Sequence, residues 1–367
     1  MIYPIRDQGL TLEGLVEDIH GFLQCTWDKQ LDRKIETLEN SNEYGESLMI
    51  EVSHLRKFFG QKVAVDDISF NVEKGEVLGF LGPNAAGKST TMRMITGFLP
   101  PTSGTAVIGG DDIVNASLAA RKKIGYLPEN APAYPEMTVV GFLDFIAEIR
   151  GFSGQKKTQR IEETLEQCFL SDVRFQTIST LSKGFKQRVC FAQSVLHDPE
   201  YLIMDEPTDG LDPNQKHEVR VMIREMAKEK TIILSTHILE EVDAVCTRAI
   251  IISGGKIVAD DTPEGLKAKA PAHGAVCFTL QDPLGEDILQ DLKHIPDIRS
   301  VETLPPTGDG PMAVRIYHAD SSTPPLDRLM HYFLEKNVSI KSFFVEKGRL
   351  DDVFRMITTA DSGDTER

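Results

Sequence analysis

Nine residues, "GPNAAGKST" from Gly82 to Thr90, say most about the architecture of this 367-residue chain. They satisfy the pattern GxxxxGK[ST] and directly follow the apolar run "VLGFL", which begins at Val77. In this pattern the backbone N–H groups of a glycine-rich turn and of the next helix surround phosphate oxygens. The lysine, here Lys88, reaches the β- and γ-phosphates, and the following hydroxyl, Ser89, is a ligand for Mg²⁺. The strand, turn and helix together predict a nucleotide site within an α/β fold.

Apolar runs on either side of this turn predict a mostly parallel sheet. "KIGYLP" from Lys123, "YLIMDEP" from Tyr201 and "TIILSTH" from Thr231 are nearly continuous apolar stretches that end in polar, glycine or proline residues. Strands that are buried on both faces of a parallel sheet have this pattern. Between about 138 and 197 the strands give way to helical periods. We therefore expect a helical insertion inside an α/β core that extends from 49 to 266.

Two acids follow the run that begins at Tyr201. Asp205 and Glu206 lie at the predicted carboxyl edge of the sheet, where ligands bind in open α/β folds. Asp205 can hold Mg²⁺ through water, and Glu206 can accept a proton from an attacking water molecule. The phosphate loop that precedes this acid pair makes the pair far more specific than it would be alone.

A second, smaller unit is predicted after a small-residue linker at 267–274. Residues 275–360 have the order strand, helix, strand, strand, helix, strand, followed by a last helix. This is the order of the split βαβ, or ferredoxin-like, arrangement, so we expect a small α+β domain and a frayed tail at 361–367. Its role stays open between support of a dimer or of stability and the sensing of a ligand.

The first 48 residues differ in charge from the rest of the chain. They hold four basic residues against ten acids and show an amphipathic helical pattern through Leu12, Leu15, Ile19, Phe22 and Leu23. This extension could pack on the main domain or bind a partner. Because Met49 opens "MIEVSHLRKFFG", it is also a candidate start of translation.

The overall composition excludes several classes of protein. The net charge is −16 and the pI about 5.1, which gives no general attraction for nucleic-acid phosphates or anionic lipid. Nucleic acid is therefore not expected as a partner. The five cysteines lie far apart without a CxxC pair, as in proteins of reducing compartments. We expect no secretory signal, and no apolar run approaches the roughly 18 residues of a membrane span.

Six motifs in the expected order resemble those of the nucleotide-binding subunits of ABC transporters, over about Ile50 to Pro263. Besides the phosphate loop and the acid pair, the stretches are "TLSKGFKQR" for the signature, "DGLDP" for the D-loop, "STH" for the switch histidine and "GYLPEN" for the Q-loop. The single unit, the "LPEN" and "LSKGF" variants and the appended C-terminal unit most resemble bacterial exporters of the antibiotic-resistance, gliding-motility and nitrous-oxide-maturation types.

This resemblance implies ATP and Mg²⁺ as cofactors and assigns roles to single residues. Phe59 would stack on adenine, and the neighbouring Phe58 is the alternative candidate for this role. Asp212 would couple the two halves of a dimer. His237 would hydrogen-bond the γ-phosphate. The implied catalytic residues are Glu206, His237, Lys88 and Glu129, and the implied metal ligands are Ser89, Glu129 and Asp205. The implied nucleotide contacts are Phe59, Gly82, Pro83, Asn84, Ala85, Ala86, Gly87, Lys88, Ser89, Thr90, Ser182, Gly184 and Asp212.

Two positions depart from the family pattern close to the phosphates. Glu129 replaces the usual glutamine and adds a negative charge, which could bind the metal more strongly or oppose closure of the site. Ala85 stands where the family usually has glycine. If this position needs a positive φ, the loop is slightly strained.

The signature stretch predicts a helix whose first charges are unfavourable for the helix dipole. Ser182 suits a helix N-cap, but Lys183, Lys186 and Arg188 follow it where acids are favoured. The resemblance offers a reason, because Ser182 and Gly184 would face the γ-phosphate of an ATP molecule that is bound to another copy. Lys183 could be a further anion contact or a solvated side chain.

One phosphate loop and one signature per chain imply, in this family, a head-to-tail homodimer with ATP at its interface. We expect peripheral binding to a polytopic permease at the cytoplasmic face of the cytoplasmic membrane, with closure and opening of the dimer driving export. One alternative is a soluble ABC ATPase that acts on nucleic acid or ribosomes, which the acidic charge disfavours. Another is a non-catalytic ATP-binding module, which the intact Lys88, Glu206 and His237 disfavour.

Overall fold

The computed structural model describes residues 49–129, 133–305, 312–319 and 325–362, and the side chains as far as 358. The predicted extension at 1–48, with its helix, lies outside the described residues. The strands are β1 (Ile50–Phe59), β2 (Lys62–Val72), β3 (Val77–Leu81), β4 (Ser103–Ile108), β5 (Asp111–Asp112), β6 (Ile124–Leu127), β7 (Tyr201–Asp205), β8 (Thr231–Thr236), β9 (Arg248–Ser253), β10 (Lys256–Asp261), β11 (Val276–Leu280), β12 (Ile298–Leu304), β13 (Ala313–His318) and β14 (Ile340–Val345). The helices are α1 (Lys88–Ile95), α2 (Ser117–Lys123), α3 (Val139–Ile149), α4 (Gly154–Gln167), α5 (Lys183–Val195), α6 (Pro213–Ala227), α7 (Leu239–Val245), α8 (Pro263–Ala268), α9 (Glu286–His294), α10 (Leu326–Glu335) and α11 (Leu350–Ser362).

The central sheet has six strands in the order β10-β9-β3-β8-β7-β6. The strands from β9 to β6 are parallel to one another, and β10 pairs antiparallel at one edge. Every residue of β3, β7 and β8 is buried. Their continuous apolar sequences fit this position, because both faces of such a strand are covered. The predicted parallel α/β core is confirmed.

A separate antiparallel sheet in the order β2-β1-β4-β5 was not predicted from the sequence. Its strands alternate instead of being apolar throughout, as in β2, where Ile68 and Phe70 are buried while Ser69 and Asn71 are exposed. Such alternation belongs to a sheet with one face in the core and the other in water. Its buried face shares a cluster with α1 and with β3 of the central sheet. The helix that follows the phosphate loop is thus packed from two sides.

The connection between β6 and β7 is helical, in agreement with the loss of strand patterns between about 138 and 197. It contains α3, α4 and α5 and two single turns of 3₁₀-helix, Ser171–Val173 and Ile178–Thr180. Phe142, Leu165 and Phe191 from the three helices are buried in one cluster, which also includes residues of β6, β7 and β8. The helical region and the central sheet therefore share a core.

The C-terminal part contains a third sheet, in the order β12-β13-β11-β14 with all neighbours antiparallel. Phe278, Leu292, Leu329 and Phe333 form a separate core between this sheet and the helices α9 and α10. The last helix, α11, instead packs on the central sheet. Its Leu350 is buried in a cluster with residues of β3, β9 and α8.

Candidate nucleotide-binding site

The turn between β3 and α1 contains two residues with a positive φ. Gly87 caps α1 with a φ of +111°, and Ala85 has a φ of +66°. Ala85, which replaces the glycine usual in this family, therefore has a left-handed backbone conformation. This conformation costs roughly 1–2 kcal/mol for a residue with a Cβ atom. Gly82 lies against β9 so closely that a Cβ atom would be 2.5 Å from the carbonyl oxygen of Ile252. Packing of the loop on β9 thus requires glycine there.

Lys88 is buried at the centre of this loop. Its Nζ donates to the carbonyl oxygen of Gly82 at 2.8 Å and to that of Pro83 at 3.3 Å. The same Nζ lies 3.6 Å from Oε1 of Glu206. The backbone of the loop thus fixes the ammonium group of Lys88, and this group links the loop to the acid pair through its contact with Glu206.

Asp205 ends β7 and is fully buried. Its Oδ1 accepts hydrogen bonds from Ser89 Oγ at 3.1 Å and from Ser235 Oγ at 2.5 Å. Its Oδ2 is also buried but has no hydrogen-bond partner among the described residues. An unsatisfied carboxylate oxygen beside a hydroxyl group is costly unless a ligand completes it, and hard oxygen donors of this kind suit hydrated Mg²⁺. Ser89 and Asp205 thus fit the predicted metal site.

Glu206 directs its carboxylate toward two basic groups. Its Oε2 lies 2.9 Å from Nδ1 of His237, while Oε1 lies near the ammonium of Lys88. The residue has a φ of +51°, which is unusual for glutamate, and its N–H donates to the carbonyl oxygen of Ser235 at 3.2 Å and to its Oγ at 3.1 Å. Side-chain and backbone contacts together hold the carboxylate at the mouth of the loop.

These groups open into a cleft of about 800 Å³. Phe59 lines the cleft and is 50% exposed, whereas Phe58, the alternative candidate for stacking on adenine, does not line it. The sequence-predicted residues that line the cleft are Phe59, Asn84, Ala85, Gly87, Lys88, Ser89, Thr90, Glu129, Glu206 and His237. The structure therefore brings together the proposed adenine, phosphate, metal and water-activating groups in one place.

Seven predicted residues do not line the cleft. Four of them, Gly82, Pro83, Ala86 and Asp205, belong to the phosphate loop and the acid pair, and the other three lie on different elements. Ser182 caps α5 and accepts a 3.4 Å hydrogen bond from the N–H of Phe185. Asp212 caps α6 in a capping box with Gln215. Gly184 packs on that same glutamine, where a Cβ atom would lie 2.3 Å from Cδ. Their predicted contacts with nucleotide stay predictions, since they require a second copy.

The cations of the signature helix divide into two kinds. Arg188 is buried, forms an ion pair with Glu218 and lies 4.9 Å from the centre of the Phe185 ring, so its charge already has a partner. Of the three cations near the start of this helix, Arg188 is thus paired with an acid of its own subunit. Lys183 is exposed, and its Nζ lies over the D-loop, where a Cβ atom on Gly210 would come within 1.7 Å.

Sequence reasoning missed two residues of the site. Asp209 lines the cleft, although only Asp212 of the same D-loop was assigned a contact. Ser235 bonds both members of the acid pair, as described above. The quoted motif "STH" contains Ser235, but only its histidine was given a role, because nothing in a linear sequence shows a contact between neighbouring strands.

The fold, the loop and the paired acids define a P-loop nucleotide-binding ATPase. A family model described as ABC transporter matches residues 65–209. The probable multidrug ABC transporter ATP-binding protein YbhF of Escherichia coli is 38% identical over 223 residues, which are 60% of this chain and 38% of that protein. The linearmycin resistance ATP-binding protein LnrL of Bacillus subtilis is 34% identical over 254 residues, 68% of this chain and 81% of that protein. The solved structure of cbiO1 from Clostridium perfringens, part of the ABC transporter complex cbiONQ, has a TM-score of 0.56 and 25% identity and covers 68% of this chain and 97% of its own.

The chain belongs to the family of ABC transporter ATP-binding proteins. Its match spans well under half the length of the E. coli relative and most of the B. subtilis one.

Proposed function

We propose that this chain is the ATP-hydrolysing subunit of an ABC exporter and works as a homodimer. The observation that carries the proposal is the arrangement of Glu206 between His237 and Lys88, beside the buried Asp205. The names of the relatives do not favour the alternative, a soluble ATPase acting on nucleic acid or ribosomes.

These contacts support a chemical role for each residue of the site. Glu206 accepts a proton from the attacking water, and the hydrogen bond from His237 holds its carboxylate in place. Lys88, fixed by two loop carbonyls, offers its charge to the β- and γ-phosphates. Mg²⁺, held by Ser89 and Asp205 with Glu129 at the same cleft, would neutralise charge that develops on the phosphate oxygens. Phe59 offers an exposed ring face to adenine.

The separation of the motifs supports the proposed homodimer. The cleft contains the phosphate loop and the acid pair, whereas Ser182 and Gly184 at the start of α5 do not line it. In a head-to-tail pair, the start of α5 of one copy covers the cleft of the other, which places two ATP molecules at the interface. The N-terminus of α5, with Lys183 in place of an acid, then faces the γ-phosphate.

The test uses the variant Glu206→Gln, which keeps the shape of the site but removes the proton acceptor. With ATP and Mg²⁺ we expect it to elute as a dimer by size exclusion with light scattering, and we expect its ATP turnover to fall at least about 100-fold. Adding Lys88→Ala should return it to a monomer. A Glu206→Gln protein that stays monomeric at saturating ATP would contradict the composite site.

A matched pair of charge reversals tests the part played by α5. Lys183→Glu in the Glu206→Gln background should weaken the ATP dimer, because it places a negative charge beside the γ-phosphate. Lys156→Glu is the control, since Lys156 is also an exposed lysine in the first turn of a helix, α4. Both reversals suit their own helix dipole, so neither is expected to unfold the subunit. Equal dimerisation of the two variants would exclude α5 from the interface.

A groove outside the cleft supports a membrane permease as the partner. Its exposed apolar side chains are Phe98, Leu118 and Ile149, at 74%, 72% and 65% exposure. Four basic residues line the same groove: Arg93, Arg121, Lys122 and Arg150. Among the described residues, no helix is long and apolar enough to cross a bilayer. We propose that an apolar, acidic cytoplasmic segment of the permease binds this groove and keeps the subunit at the cytoplasmic face of the membrane.

We also propose that 275–360 form a ferredoxin-like accessory domain joined to an ATPase domain at 49–266. The strand order β12-β13-β11-β14 supports the first part, because it is the order of a split βαβ sheet. The packing of Leu350 and Phe354 on Leu81 and Leu266 supports a stabilising role. Helix α11 extends to Ser362, and the remainder of the predicted tail, 363–367, lies outside the described residues. Dimer support by this domain would show as lost ATP-dependent dimerisation after removal of 272–367.

A further inference from the structure

Ser235 connects the two acids of the site through one hydroxyl group. The residue is fully buried near the end of β8, next to β7, which carries Asp205. Its Oγ donates to Oδ1 of Asp205 at 2.5 Å and accepts the N–H of Glu206 at 3.1 Å. A serine hydroxyl has one donor and two acceptor sites, so both bonds can form at the same time.

The first bond determines which oxygen of Asp205 remains open. Oδ1 accepts from both Ser235 and Ser89, and hydrogen bonds to a carboxylate are among the stronger ones in proteins. Oδ2 is left as the buried oxygen without a partner among the described residues. Ser235 thereby helps to fix the rotation of the carboxylate, with Oδ2 as the oxygen that remains available to a ligand.

The second bond acts on the backbone of Glu206. A φ of +51° is strained for a residue other than glycine and persists only when the surroundings hold it. The N–H of Glu206 is held by the carbonyl oxygen and by the Oγ of Ser235. This backbone conformation sets the direction of the carboxylate that contacts His237.

We propose that Ser235 is a positioning residue that aligns Asp205 for Mg²⁺ and Glu206 for the attacking water by means of its single hydroxyl. The inference rests on the proposed ATPase function and adds to it a required hydroxyl on β8. Threonine supplies the same hydroxyl, alanine removes it, and cysteine replaces it with a larger, weaker donor.

The experiment compares Ser235→Ala, Ser235→Cys and Ser235→Thr in the full chain. Affinity for ATP is measured by calorimetry with Mg²⁺ and with excess EDTA, alongside the Mg²⁺ dependence of turnover. For Ser235→Ala and Ser235→Cys we expect the Mg²⁺-dependent gain in ATP affinity to fall about tenfold, with no change in EDTA. The kcat of these two variants should also fall about tenfold at saturating Mg²⁺. Ser235→Thr should retain the wild-type kcat and the Mg²⁺-dependent gain in ATP affinity.

Thr164→Ala provides the control for a merely structural hydroxyl. Thr164 is also fully buried, and its Oγ1 donates at 2.7 Å to the carbonyl oxygen of Arg160 within its own helix. It should lower the melting temperature without changing the Mg²⁺ profile. If Ser235→Ala and Ser235→Cys keep the wild-type Mg²⁺ profile and kcat, the positioning role is wrong while ATP hydrolysis stands. Wild-type protein that binds no ATP would instead refute the proposed function and this role with it.

Discussion

His197 shows how a single buried side chain makes stability depend on pH. It follows α5, and its Nε2 lies 3.0 Å from the carbonyl oxygen of Ile124. Burial, followed by the nearby charge of Arg150, lowers the pKa of His197 from 6.5 to about 4, despite the hydrogen bond to Ile124. The folded protein thus keeps the ring neutral down to a pH at which the unfolded chain is already protonated.

The sign of the effect follows from proton uptake by the unfolded state. The stabilisation is complete above pH 6.5 and is lost as the pH falls toward 4, by at most about 3 kcal/mol. We expect His197→Gln, which can keep a donor to Ile124, to lose this part of the pH dependence. Urea unfolding of wild type and of His197→Gln at pH 7 and at pH 4.5 measures the change in the free energy of unfolding with pH. The carboxylates contribute equally in these two proteins, so the difference between them reports on His197. His217→Gln, at an exposed position, should keep the wild-type dependence. A pH dependence unchanged in His197→Gln would contradict the lowered pKa.

Single residues also show how far the site follows from the sequence. The phosphate loop and the acid pair were predicted because their spacing is local, and the positive φ of Ala85 agrees with the strain suspected there. The ion pair of Arg188 with Glu218 and the bonds of Ser235 could not be predicted. Each joins residues that are about 30 positions apart, so each depends on how two elements pack.

At the scale of elements, the parallel strands were predicted more completely than the antiparallel ones. A strand such as β8 is buried throughout and has an unbroken apolar sequence. In β1 the burial alternates irregularly, with register shifts where it pairs with β2. Bulges of this kind break the two-residue period on which a prediction from sequence depends. The antiparallel sheet was therefore missed although its strands are long.

The position of α11 leads to a prediction about two separate cores. Leu350 of α11 is buried against the ATPase core, whereas Leu329 of α10 is buried in the core of the third sheet. Changing either residue to alanine should lower the free energy of unfolding of the part that contains its core by about 2–5 kcal/mol. We expect Leu350→Ala to shorten the half-life of ATPase activity on heating, while Leu329→Ala leaves that half-life nearly unchanged.

Circular dichroism during heating provides the companion measurement, because both variants should lose part of the structure at a lower temperature than wild type. An identical loss of ATPase activity in the two variants would mean that the two cores unfold as one. No loss in Leu350→Ala would show that α11 does not stabilise the ATPase domain.

For the whole molecule, the acidic net charge contrasts with the basic groove. The chain carries −16 overall, yet the groove residues with full charges are all basic. Burial within the groove and the charge of Asp205 also raise the pKa of Tyr126 to about 12, so this phenol stays neutral at physiological pH. A local positive surface with exposed apolar side chains supports the proposed acidic, apolar partner segment.

This contrast gives a prediction for assembly. Phe98→Glu and Leu118→Glu place a negative charge in the groove, so they should prevent binding to the proposed permease by repelling the acidic segment proposed for it. Phe175→Glu is the control, because Phe175 is 75% exposed and does not line the groove. The isolated variants should all keep ATP turnover within about twofold of wild type, since none of these residues lines the nucleotide cleft.

Tagged protein is purified from detergent-solubilised membranes of its own host, and polytopic proteins bound to it are identified by mass spectrometry. We expect one such protein with wild type and Phe175→Glu and its loss with both groove variants; its retention in all three variants would place the membrane contact elsewhere on the subunit.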